Sequence, residues 1–98
     1  MLELDKVRCE EFAACLQEDF AVATPAGDFV LKLSEARPLG SRWGTDREPF
    51  SVIFLGPGGL RLPQAIYKLQ NPKLGEMEIF LVQIGADQDS SSFEAVFN

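Results

Sequence analysis

Apolar residues recur along this chain with two different periods, and the switch between them divides it. Cys9, Phe12, Ala13 and Leu16 fall at i, i+3, i+4 and i+7, the spacing of one helix face, and predict a single helix from about residue 6 to 16. Asp5 suits its N-cap, and Leu4 with Cys9 occupies the positions of a hydrophobic staple. From Asp19 onward the period falls to two. In FVLKLSEA, Phe29, Leu31 and Leu33 alternate with Val30, Lys32 and Ser34; in FSVIFL, Phe50, Val52 and Phe54 alternate with Ser51, Ile53 and Leu55. With DFAVAT, QAIYKLQ, EMEIFLVQIG and SFEAVFN, these segments read as about six strands.

Turn chemistry separates the strands. PAGD joins DFAVAT to FVLKLSEA as a hairpin, and NPKLG joins QAIYKLQ to EMEIFLVQIG, with Pro72 fixing φ and Gly75 permitting a positive one. No helical pattern lies between strands, so parallel βαβ units are excluded. FSVIFL and IFLVQI are apolar on both faces. The fold class expected is therefore mainly β with one N-terminal helix: an antiparallel meander forming a curled sheet or small β-barrel capped by the helix. There is no sequence repeat, and 98 residues make one domain.

Composition narrows the function classes. Apolar residues are 46% of the chain and charged residues 24%, which fits a globular domain that folds unaided. A net charge of −6 with no basic stripe removes the counterion-release term on which nucleic-acid affinity depends, and it opposes anionic membranes as well. Charges at Glu3, Asp5 and Lys6 interrupt any signal-peptide core, so a cytoplasmic protein is expected, one that could still join an exported or released assembly. Cys9 and Cys15 are placed by helical spacing on different faces, which disfavours a mutual disulfide and predicts two reduced thiols.

There is no histidine, which removes His-activated nucleophiles and nearly all zinc sites with a His ligand. Asp87, Asp89 and Ser91 open like a calcium loop, but Ser92 stands at the glycine position and Asn98 at the bidentate glutamate position, so the segment reads as a solvated turn. Glu76 and Glu78 share a strand face, and Glu10 and Glu11 the helix, in neither case inside a visible cleft. Cys15 stands near Glu18 and Asp19, which opposes thiolate formation. The glycine-rich GPGGLRLPQ lacks the following helix and the lysine of a phosphate cradle, and reads as a connector in which Gly56, Gly58 and Gly59 are free to take positive φ. No cofactor or metal site, and no catalytic residue, is expected.

What remains is RPLGSRWGTDRE, a loop of about twelve residues that gathers Arg37, Arg42, Trp43 and Arg47. Trp and Arg are the residues most enriched in interface hot spots. Trp43 reads either as an exposed anchor or as a lid folded onto the barrel. These four residues are the candidate interaction site.

The segment from Arg47 to Asn98, with its REPFS strand, GP loop, LPQAIY, LG turn, FLVQIG and terminal EAVFN, resembles a family of small bacterial domains of unknown function. The N-terminal half fits more loosely through Phe12, Phe20 and VLKLSEARPLG. The resemblance implies no catalytic residues. It does imply a neighbourhood of proteins like phage tail-collar fibres, hence an accessory part of a fibre-like assembly. The leading expectation is a non-enzymatic interaction or assembly module with a protein partner or a homo-oligomeric state. The alternative is a small-ligand-binding barrel whose many aromatics line an interior.

Overall fold

The computed structural model describes residues 9–25, 27–39 and 49–97. A short helix, α1 (Cys9–Ala13), precedes six strands: β1 (Asp19–Thr24), β2 (Gly27–Pro38), β3 (Phe50–Pro57), β4 (Ala65–Asn71), β5 (Gly75–Ala86) and β6 (Ser90–Phe97). They close into an antiparallel barrel in the order β1-β2-β3-β6-β5-β4. One N-terminal helix, six strands and the barrel are as expected, though the helix ends at Ala13 and not near 16, and the expected start with Leu4 and Asp5 lies outside the described residues. The meander is interrupted once, since β4 returns across the barrel to pair with β1, and β3 pairs with β6. Strands β1 to β4 thus form a Greek key.

The sequence carries no repeat, yet the barrel consists of two similar three-stranded units. Each has a short first strand, a second strand of 12 residues and a third of 8. Each long strand serves two neighbours and changes partner near a bulge, β2 between Leu33 and Glu35 and β5 between Gln83 and Gly85. An extra residue bends a strand and raises its twist, which is how twelve residues wrap a narrow barrel.

Alternation decides what lies inside. Leu31 and Leu33 of β2, Phe50, Val52 and Phe54 of β3, Tyr67 and Leu69 of β4, Met77, Ile79 and Leu81 of β5, and Phe93, Ala95 and Phe97 of β6 are buried. One barrel end is closed by α1, whose Phe12 ring lies 5.5 Å from Phe97, 5.9 Å from Phe50 and 6.4 Å from Phe20. The aromatics expected to line an interior instead pack on one another, with Phe50 stacked on Phe97 at 4.8 Å and Phe20 edge-on to Phe54 at 5.1 Å.

The phase of the helix differs from the expectation. Ala13 and Leu16 face outward, with Leu16 42% exposed, whereas Cys15 is fully buried beside Phe12. After Ala13 the chain tightens: Cys15 N donates to Phe12 O at 2.8 Å and Glu18 N to Cys15 O at 3.0 Å, both i to i−3. At three residues per turn, residues 9, 12 and 15 share a face, so the buried position moves from 16 to 15. Gln17 then reverses the chain at φ 68° and donates its N–H to Leu33 O at 2.7 Å.

The other barrel end is closed by the glycine-rich connector. Of its glycines only Gly59 takes a positive φ, 76°, correcting the expectation for Gly56 and Gly58. Those two are needed for close approach. A Cβ at Gly56 would sit 2.8 Å from both Leu31 Cδ2 and Ser91 Oγ, and one at Gly58 would overlap the carbonyl oxygen of Gln88. The connector's N–H groups are used internally, Gly59 to Asp87 O at 3.0 Å and Leu62 to Gln83 Oε1 at 2.8 Å. Because the obstacle at Gly58 is backbone, Gly58→Ala is expected to cost about 1–3 kcal/mol by forcing the β5–β6 turn aside. Urea denaturation measures this; an unchanged midpoint would show that the turn yields freely.

Candidate interaction surface

Strands β5, β6 and β3 are neighbours, and their outward positions form a surface of unusual composition. The strand register pairs Val82 with Glu94 and Glu94 with Ile53; one step along, Gly85 pairs with Ser92 and Ser92 with Leu55. Ile84, the extra residue of the β5 bulge, lies beside this row and is 53% exposed. In the other direction Val96 pairs with Ser51, and Phe80 pairs with Ile66 of β4. Ile66 is 66% exposed, Phe80 51% and Val96 51%.

Ser92 and Gly85 are small, so the apolar side chains beside them stand on a low floor, whereas Ser51, opposite Val96, is buried. Ile66, Phe80, Ile84 and Val96 are each more than half exposed, and clustered apolar surface left open on a soluble domain is often functional. Two of the described cations at its margins are paired, whereas Lys32, the register partner of Leu55, makes no ion pair with a described residue. Arg37 donates to Glu35 at 3.0 Å on the β2 side, and Lys68 lies 3.6 Å from Glu76 on the β4 side. Glu94, half-buried between Val82 and Ile53, has no cation among the described residues.

Of the four residues proposed from the sequence, Arg37 is described: it is exposed on β2, with Ser51 as its register partner. Arg42, Trp43 and Arg47 lie outside the described residues. The described flanks of their loop meet, Leu39 N donating to Pro49 O at 2.8 Å, so the loop leaves and rejoins the barrel at one place. That place adjoins the row Arg37, Ser51, Val96. The apolar face was missed by the sequence reading. Its signal was the double-sided apolar character of FSVIFL and IFLVQI, which served there only to suggest barrel closure.

A second surface feature is a groove of about 510 Å³ over the outside of β1. Ala21 forms its floor, with Val30 of β2 on one side, Gln70 of β4 on the other, and Asp19 and Glu76 at one end. Through Ala21 and Gln70 it continues into a smaller hollow of about 180 Å³ beside Ala23 and Lys68.

The polar cluster beneath α1 is structural. Asn71 Oδ1 accepts from Lys73 N at 2.8 Å, from Leu74 N at 3.1 Å and from the Cys15 thiol at 3.8 Å, while its Nδ2 donates to Asp19 O at 3.1 Å and to Glu18 at 3.4 Å. Lys73 Nζ closes the cluster on Glu18 at 2.6 Å. Burial, and then the charge of Glu18, pushes the Cys15 thiol up, which opposes nucleophilic use. The calcium-like segment is a turn: Asp87 Oδ1 accepts from the N–H groups of Asp89 and Ser90, both at 2.8 Å, and Ser91 Oγ donates to Pro57 O at 2.9 Å. Among the described residues no group of three or more His, Cys, Asp or Glu is placed to hold a metal. No helix among them is long and apolar enough to cross a membrane.

These contacts predict an acid limb of stability. The hydrogen bond from Lys73 holds the Glu18 carboxyl below its ordinary range, and backbone N–H groups of Ser90 and Asp89 do the same for Asp87. A carboxyl depressed in the folded state contributes stability that is complete above its unfolded pKa and lost as pH falls through the folded one. The hydrogen bond that Lys73 donates to Glu18 raises the Lys73 pKa, so its contribution is complete below the ordinary lysine range and is lost on the alkaline side. Urea midpoints are expected to fall as pH drops from 5 towards 3, and Glu18→Gln to flatten that slope. An equally steep slope in the variant would remove Glu18 from the account.

A family model described as Domain of unknown function (DUF6916) matches residues 7–97. No curated protein matches, and no solved structure matches.

Proposed function

The chain belongs to the DUF6916 family, a domain of unknown function, and since that membership assigns no activity we propose, from the surface geometry, a non-enzymatic protein-interaction or assembly module. It binds through the outer face of β5, β6 and β3. The observation that carries this reading is the exposed apolar side chains at its outward positions, Phe80 with its β4 register partner Ile66, and Val96 and Ile84, on the outside of a barrel whose core is already filled. Water-exposed apolar surface of this extent gains free energy when a partner covers it. The Arg/Trp loop that starts beside the face, with Arg42, Trp43 and Arg47, extends the same interface under this proposal, and a fibre-like assembly is the kind of partner that the sequence resemblance suggests.

The test is a pull-down from the protein's own cell extract with the native mass of the complex measured. Phe80→Ser and Ile66→Ser, both at exposed positions, are expected to leave the fold intact and weaken the complex by about 2 kcal/mol or more, roughly thirtyfold, if either side chain is a hot spot. Trp43→Ala separates anchor from lid: loss of the complex with folding intact marks an anchor, and unfolding marks a lid. A complex indifferent to all three changes would sink this reading.

A second reading, a small-ligand-binding domain, is favoured by the β1 groove and not by the barrel interior, where the rings occupy one another's space.

A further inference from the structure

Among the described residues Glu94 is the one charge at the centre of the apolar face, and it selects what the face can accept. Its register partners are Val82 on one side and Ile53 on the other, so any partner that covers this face also covers the carboxylate. No described cation pairs with it: Arg37 lies on Glu35 and Lys68 on Glu76, and Lys32, the register partner of Leu55, is not within ion-pair distance of Glu94. A carboxylate removed from water without a cation costs several kcal/mol, more than the burial of one apolar side chain returns.

A second copy of the chain is a poor occupant. Twofold pairing centred on this face would bring the two Glu94 carboxylates together and would add two chains that each carry a net charge of −6. Resting on the interaction reading above, we propose that the face binds a different protein, one that presents an apolar surface with a single Lys or Arg placed to pair with Glu94. The apolar rows supply affinity, and Glu94 supplies register and discrimination.

The experiment uses two fluorescent synthetic peptides of fourteen residues, amphipathic and identical except for one central position on the apolar face, Lys in one and Glu in the other. Binding to the intact chain is followed by anisotropy. The Lys peptide is expected to bind about tenfold more tightly than the Glu peptide. Glu94→Gln abolishes that preference while both peptides still bind, and Phe80→Ser weakens both without altering their ratio. Equal binding of the two peptides to the unmodified chain overturns the role of Glu94 and leaves the face itself standing. Failure of both to bind overturns the face reading and this inference together. Sedimentation of the chain alone at the same concentrations supplies the remaining outcome: a dimer that Phe80→Ser dissociates would make a second copy the occupant and overturn the proposal.

Discussion

Replacing Phe12 with alanine is expected to destabilise the domain by about 3–5 kcal/mol, the range for removing a fully buried aromatic ring. Total stabilities of small domains are about 5–15 kcal/mol, so this one change puts the fold at risk. In a domain of this size it corresponds to a melting temperature lower by on the order of 15–30 °C. The reason is position. Phe12 is fully buried at the barrel end and meets Phe20, Phe50 and Phe97, which come from three different strands. The helix that carries it has five residues, too few to persist alone in water, so it exists because Phe12 docks. Hydrogen exchange gives a second readout. With the ring gone, the N–H groups of Cys15, Gln17 and Glu18 should lose protection before those of β3 and β6. Phe12→Leu should restore much of the loss. Unchanged stability in Phe12→Ala would mean that the helix is an appendage and not the barrel's plug.

The second large effect is expected at Asn71. Its Oδ1 serves the N–H groups of Lys73 and Leu74, and its Nδ2 serves the carbonyl of Asp19, so one buried side chain ties the β4–β5 turn to the start of β1. Asn71→Ala leaves these groups partly buried and without their partner, at a cost of about 2–4 kcal/mol in all. Asn71→Asp discriminates this account from simple packing. A carboxylate still accepts from Lys73 and Leu74, but it cannot donate to Asp19 O, and it places a second negative charge beside Glu18. Protonated, it can donate again. Asn71→Asp should therefore be closer to the unmodified protein at pH 4 than at pH 7, measured relative to it at each pH. A deficit that does not change with pH would show that the hydrogen bonds are not what holds the turn.

Both residues show where sequence pattern stops. Phe12 is legible as apolar and periodic, but its neighbours are not, because they lie 8 to 85 residues away and meet only when the barrel closes. Asn71 reads as ordinary turn chemistry in NPKLG; its burial follows from the return of β4 to β1, which no local signal announces. The buried thiol at Cys15 was hidden by the assumption of 3.6 residues per turn, which the hydrogen bonds of the tightened turn overrule. The candidate site was legible only at one margin. Arg37 and the loop beyond it stand out by residue type, whereas Ile66, Phe80, Val96 and Glu94 lie in strands that look like core.

The sequence by itself determined that the chain is one antiparallel β-domain with a helix at its start. It also determined where the strands turn and which residues alternate, since propensity, turn chemistry and the two-residue period all act over a few neighbours. Tertiary structure alone decided that β3 pairs with β6 and β1 with β4, because closing the barrel satisfies strand edges that are distant in sequence. It also decided which side of each doubly apolar strand faces out. In MEIFLVQI both sides are apolar, and only the register against β4 and β6 turns Ile79 and Leu81 inward and leaves Phe80 at the surface.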